Sequence, residues 1–134
     1  MDFKDLYIGQ FAEMTKVFNL EDVKNFALLS GDINPVHLDE NYAATTIFKK
    51  PIVHGFLWGS LVSALIANKL PGPGSIYIHQ ELNFKAPVFH GNEVTAKVEI
   101  TDLRPDKKII TLQTTIIVNK NVLALDGKAI VKLI

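Results

Sequence analysis

The stretch PIVHGFLWGSLVSALIAN, residues 51–68, contains no Lys, Arg, Asp or Glu, and accommodating it dictates how the remaining chain is arranged. Phe56, Leu57, Leu61, Ala64, Leu65 and Ala67 recur near helical spacing, while Trp58, Val62 and Ile66 fill much of the other side. Such a helix is apolar nearly all round and has to be wrapped. The stretch approaches the length of a bilayer span. It also holds Pro51, His54, Ser60, Ser63 and Asn68, so it reads as a buried helix and not as a membrane segment.

The wrapping material is legible downstream. Ile76, Ile78, Leu82 and Phe84 alternate with Tyr77, His79, Glu81 and Asn83, the period of a strand with one buried face. Val94, Ala96, Val98 and Ile100 repeat the pattern, as do Ile110, Leu112, Ile116 and Val118. Val122 to Leu133 gives a last strand, in which the Asp126-Gly127 pair is expected to form a bulge. Turns at 102–108 and 119–121 are short enough for antiparallel neighbours, and Phe11 to Val17 can supply a further strand. Asn19, Glu21 and Asp22 before VKNFALLS, with Gly31 after it, give the cap, acidic first turn and terminal glycine of a helix at about 20–30. No βαβ alternation occurs, so the expected class is α+β, an antiparallel sheet curled around one apolar helix.

At 134 residues the chain is sized for a single domain, 1–134, and 48% apolar against 21% charged residues separates it from disordered sequences. Fourteen Lys plus Arg balance fourteen Asp plus Glu, so no basic field exists to hold nucleic acid. The absence of cysteine excludes disulfides, thiolate metal sites and cysteine nucleophiles. The start, MDFKDLYIGQ, lacks the basic-then-apolar order of a secretory signal, and the expected setting is cytoplasmic. Pro71-Gly72-Pro73-Gly74 precedes a strand, which makes it a connector and not a phosphate cradle.

The densest polar cluster is Ser30-Gly31-Asp32-Ile33-Asn34-Pro35-Val36-His37. Pro35 pushes Asn34 out of the helical region, and a proline-braced turn can bring Asp32 and His37 together around one water as an acid–base pair. The alternative is that Asp32 and Asn34 only make side-chain turns and His37 begins the next short helix. His54-Gly55 stands directly before the apolar helix, where free backbone N–H groups and the positive dipole end can polarise a carbonyl oxygen. Equally, Gly55 can simply relieve crowding while His54 satisfies a local carbonyl. His37, His54, His79 and His90 form no HxH or HExxH pattern, so no metal site is expected. Ser63 on the helix can orient Asp32 or bond only its own backbone.

FALLSGDINPVH, residues 26–37, followed after five residues by Ala43, resembles the signature loop of the MaoC-like (R)-specific enoyl-CoA hydratases. PIVHG at 51–55 and FKAPV at 84–88 resemble two further blocks, and the similarity runs over essentially the whole chain. The resemblance implies a hot-dog fold, a homodimer, and addition of water to a trans-2-enoyl-CoA giving an (R)-3-hydroxyacyl-CoA with no metal or redox cofactor. It also implies that Asp32 and His37 activate the water, that Ser63 supports them, and that the Gly55 N–H polarises the thioester carbonyl. Asn34, His54, Leu65, Ile66 and Val131 are the expected substrate contacts, and short to medium acyl chains are expected. The competing readings are a 3-hydroxyacyl-acyl-carrier-protein dehydratase, an acyl-CoA thioesterase and a non-catalytic acyl-CoA-binding module.

Overall fold

The computed structural model describes residues 1–134. In chain order the elements are β1 (Phe11–Val17), α1 (Leu20–Ser30), α2 (Pro35–Leu38), α3 (Glu40–Ala44), α4 (Gly55–Asn68), β2 (Ser75–Gln80), β3 (Asn83–Phe84), β4 (Glu93–Arg104), β5 (Ile109–Val118) and β6 (Val122–Leu133). One antiparallel sheet runs in the order β1-β4-β5-β6-β2, with β3 pairing β6, and α4 lies against it. This is the α+β hot-dog arrangement anticipated from the sequence.

The core is made where the two periodicities meet. Trp58, Leu61, Val62, Leu65 and Ile66 put one stripe of α4 on the sheet, at the i, i+3, i+4, i+7 spacing that brings residues to one helical face. Val94, Ala96, Val98 and Ile100 of β4, and Ile110, Leu112 and Ile116 of β5, are fully buried against it. Thr114 interrupts that row in β5 and is also fully buried; its hydroxyl accepts a hydrogen bond from Gln80 Nε2 at 3.1 Å.

A flat sheet could not enclose a helix, and three single-residue register shifts bend this one. They fall at Ile78 in the β2–β6 pairing, at Thr101 in β4–β5 and at Ala124 in β5–β6. The bulge in the last strand is therefore at Ala124, where Ala124 and Leu125 are buried in succession, and not at Asp126-Gly127, which pair regularly with Thr115 and Thr114. Gly127 has a different reason to be glycine: a Cβ there would lie 1.7 Å from the backbone oxygen of Glu81, which crosses directly above it. The turn after β4 is also shorter than 102–108, since the strand continues to Arg104.

Two further expectations are corrected. Ile76, Tyr77 and Ile78 are all exposed, because β2 is an edge strand whose bulge breaks the alternation. The helix α4 is wrapped on one side only, leaving Phe56 72% exposed on the other. If the Glu81 segment holds Gly127 in place, Gly127→Ala should lower the unfolding free energy by about 2 kcal/mol or more, since backbone cannot yield as a side chain can. Asp126→Ala should cost about 1 kcal/mol, the worth of its hydrogen bond from Asn83. Urea unfolding of both variants checks this, and a Gly127→Ala loss no larger than that of Asp126→Ala would return the irregularity to that pair.

Candidate active site

Helix α1 opens with a capping box between Asn19 and Asp22 and stops at Gly31, whose φ of 83° turns the chain into the polar loop. Three successive side chains then knit that loop. Ser30 Oγ accepts from the Asp32 amide at 3.1 Å, Asp32 Oδ1 from the Asn34 amide at 3.3 Å, and Asn34 Oδ1 from the Val36 amide at 3.1 Å. Pro35 starts α2, and its short turn carries His37. Both readings of the loop are thus realised together: Asp32 and Asn34 make side-chain turns, His37 sits on the next helix, and Asp32 and His37 still converge.

The division of labour within Asp32 is chemical. Oδ1 belongs to the loop, whereas Oδ2 faces His37 Nε2 at 3.9 Å, too long for a direct hydrogen bond but short enough for one water to touch both. His37 Nδ1 lies 2.8 Å from the carbonyl oxygen of Ile52. A carbonyl can only accept, so Nδ1 carries the proton and Nε2 presents its lone pair toward Asp32. The Asp32 side chain is 51% exposed and that of His37 only 10%, giving a carboxylate reached by solvent beside a ring held in place.

His54 completes the cluster from beneath. Its ring stacks on His37 with centroids 3.8 Å apart and meets the edge of Phe26 at 4.9 Å. Its Nε2 donates to the backbone oxygen of Asp32 at 2.9 Å, while Nδ1 is buried without a partner. Burial holds the His54 pKa below its usual 6.5; the Asp32 carbonyl and carboxylate oppose this shift and the neighbouring His37 reinforces it. Asp32, His37 and His54 lie close enough to suggest a chelate. Stacked rings, however, direct their in-plane lone pairs side by side, and His54 Nε2 already carries a proton toward a carbonyl.

His54 also occupies the N-cap position of α4 without making a side-chain cap bond. The first amides of that helix are therefore not engaged by a capping side chain. At Gly55 a Cβ would come within 2.8 Å of Phe84 Cε1, and Phe84 packs edge-on to Trp58 at 5.3 Å. A Cβ there would have to push that ring aside, and glycine leaves the helix terminus open to a cavity of about 350 Å³ bounded by Ile52, Trp58, Phe84 and Pro87.

Other expected contacts lie elsewhere. Leu65, Ile66 and Val131 are at most 2% exposed and pack within the core of the single chain. Shortening Ile66 would leave a hole costing about 1–4 kcal/mol. Ser63 is on the outer side of α4, eight positions beyond Gly55 or about 12 Å along the axis, in a second cavity with Tyr77 and Gln80. No hydrogen bond connects it to Asp32, whose partners are Ser30, Asn34 and His54. Asn34 directs its side-chain oxygen into the loop. His54 is 1% exposed, so it meets the loop and not a substrate. No sequence pattern points to the Ile52 carbonyl or to Phe84 over Gly55, since both depend on chain crossings. The polar Thr114 within an apolar row was the one visible trace of the Tyr77–Gln80–Thr114 chain of hydrogen bonds.

The family profile described as MaoC like domain matches residues 10–122. The chain belongs to the MaoC-like family. It is 53% identical over 133 residues to the (R)-specific enoyl-CoA hydratase of Aeromonas caviae, covering 99% of each chain. It is 46% identical over 129 residues to the enzyme of the same name from Rhodospirillum rubrum, covering 96% of this chain and 89% of that one. The solved structure of the (R)-hydratase from A. caviae involved in PHA biosynthesis superposes with a TM-score of 0.94 over 98% of this chain and 99% of that chain. No helix of this MaoC-like chain is long and apolar enough to cross a membrane.

The buried neutral ring of His54 has a consequence for stability. Its folded pKa lies below 6.5, so as pH falls through 6.5 the unfolded chain takes up a proton that the folded chain refuses. Stability is retained above that pH and declines below it, toward the folded value. Melting temperature should therefore fall between about pH 7.5 and 5.5 more steeply in the wild type than in His54→Gln, which has nothing to titrate there. Parallel slopes in scanning calorimetry would mean that position 54 titrates as an exposed histidine does.

Proposed function

We propose that this chain is an (R)-specific enoyl-CoA hydratase, adding water to a trans-2-enoyl-CoA to give an (R)-3-hydroxyacyl-CoA. The observation that carries the reading is the approach of Asp32 Oδ2 to His37 Nε2, both unengaged by other protein groups and separated by the span of one water. Water held there donates one O–H to each. As its oxygen bonds to C3, the pair removes a proton, and one proton is returned to C2, so that H and OH are both accounted for. The Gly55 N–H donates a hydrogen bond to the thioester oxygen and stabilises the negative charge that develops there as the enolate forms, aided by the positive end of α4.

The reaction is a redox-neutral addition, and the enolate is met by backbone dipoles, so no metal or redox cofactor enters. Coenzyme A arrives as part of the substrate, and a cytoplasmic setting accompanies that choice. The apolar cavity beside Gly55 takes the start of the acyl-thioester, and a second copy of the chain encloses the remainder. Support for the second copy comes from the exposed apolar residues Phe56, Ile76, Tyr77 and Ile78, which lie on the open side of α4 and along the free edge β2. In such a homodimer Ser63 faces the same covered side as these residues.

With the water held on one face, hydroxyl and proton reach the double bond from the same side. Crotonyl-CoA should give (R)-3-hydroxybutyryl-CoA by syn addition, with no signal from a dehydrogenase specific for the (S) isomer. Asp32→Asn and His37→Gln should each lower kcat by about 10²-fold or more in folded protein. Release of free thiol would indicate a thioesterase, binding without turnover a carrier module, and turnover confined to acyl-carrier-protein thioesters a dehydratase of that class. Sedimentation at micromolar concentration should give twice the chain mass, and a fully active monomer would contradict the enclosed site.

A further inference from the structure

The catalytic pair does not hold itself in place. Asp32 and His37 lie on an exposed loop and a single turn of helix, and 3.9 Å separates them, so neither fixes the other directly. What both touch is His54. The geometry points to His54 as the positioning residue of this active site: its Nε2–H clamps the backbone carbonyl of Asp32 while its ring is the platform on which His37 stacks. This rests on Asp32 and His37 being the reacting pair.

The contacts allow only one arrangement of protons. Asp32 O is a pure acceptor at 2.9 Å, so Nε2 of His54 carries the hydrogen, and Nδ1, buried and unpartnered, is left as a bare lone pair. Protonating Nδ1 would place an unpaired N–H and a positive charge in a pocket closed by Phe26 and His37. The groups with charge or titration that face the ring are Asp32 and His37 alone, as Phe26 covers it from α1. A cationic His54 would repel a proton from His37, 3.8 Å away, and so oppose the proton transfer that the reaction requires. A neutral ring does not.

The position of His54 in the chain adds a third connection. It is the N-cap of α4, so the residue that holds Asp32 and supports His37 is covalently next to the Gly55 amide. Its 1% exposure excludes contact with substrate. Losing it should therefore affect the chemical step and leave binding largely intact, which is the signature that separates positioning from recognition.

Two side chains dissect the role. Gln at 54 retains an amide donor able to reach Asp32 O but has no ring, whereas Phe keeps the ring and leaves that carbonyl unpaired. With crotonyl-CoA, His54→Phe should lower kcat by about 10²-fold with KM within about 3-fold, and His54→Gln should recover about 5-fold or more of that loss. Circular dichroism and thermal melts establish that each variant is folded. In the wild type, the ¹⁵N shifts of the histidine rings should show His54 as the neutral Nε2–H tautomer, and this needs no variant if His54→Phe does not fold. A folded His54→Phe with kcat within about 2-fold of wild type, a loss carried by KM, a Gln variant no better than Phe, or an Nδ1–H tautomer would each overturn the assignment. A wild type inert toward crotonyl-CoA, or an active Asp32→Asn, would instead count against the hydratase reading, with the tautomer still deciding whether His54 clamps the loop.

Discussion

Two side-chain hydrogen bonds cross between the loop at 31–37 and the segment at 51–54, and they are reciprocal. His37, a loop side chain, donates to the backbone of Ile52, and His54, a side chain of the later segment, donates to the backbone of Asp32. The two rings stack between these bonds. Neither segment belongs to the sheet, so without this exchange the loop would be anchored only by its own turns and by the Ile52 amide on Val36 O. The segment 51–54 is itself secured, since Val53 donates to Val88 O and Ile52 pairs with Phe89. Order therefore passes from the core to 51–54, and through two imidazoles to the carboxylate.

The sheet-and-helix arrangement was readable because burial in β4 and β5 follows the strand period with hardly a break, from Val94 to Ile100 and from Ile110 to Val118. Where a strand has a free edge, the same alternation misleads. In β2 the register shift at Ile78 leaves Ile76, Tyr77 and Ile78 exposed in succession. The bulge in β6 departs from its sequence signal for a related reason: Asp-Gly is a turn signal in sequence, but at Gly127 the missing side chain makes room for the backbone of Glu81 in the β2–β3 connection, which no local pattern encodes.

The site divides along the same line. Asp32 and His37 were visible because proline, glycine and short polar side chains cluster only where a loop must be rigid. The role of His54 was not, because it depends on a residue 22 positions away meeting its ring. Ser63, Leu65, Ile66 and Val131 look alike as sequence, helix or strand residues near the right place. Packing separates them, with three sealed in the core and one on the uncovered side.

A buried imidazole with one orphaned nitrogen costs about 1–3 kcal/mol relative to a satisfied one, and evolution had simpler ways to fill the space. An apolar ring would pack as well against Phe26 and His37 but would orphan the Asp32 carbonyl instead. An amide would satisfy that carbonyl but offer no flat surface to His37. A neutral imidazole supplies a donor and a planar face at once, and the burial that orphans Nδ1 is what keeps the ring uncharged beside the histidine proposed to take up protons. The unsatisfied nitrogen is thus tied to the site above it: a water at Nδ1, able to donate to the neutral ring and to accept from the charged one, would satisfy the nitrogen and, at the same stroke, remove part of the barrier against charging His54.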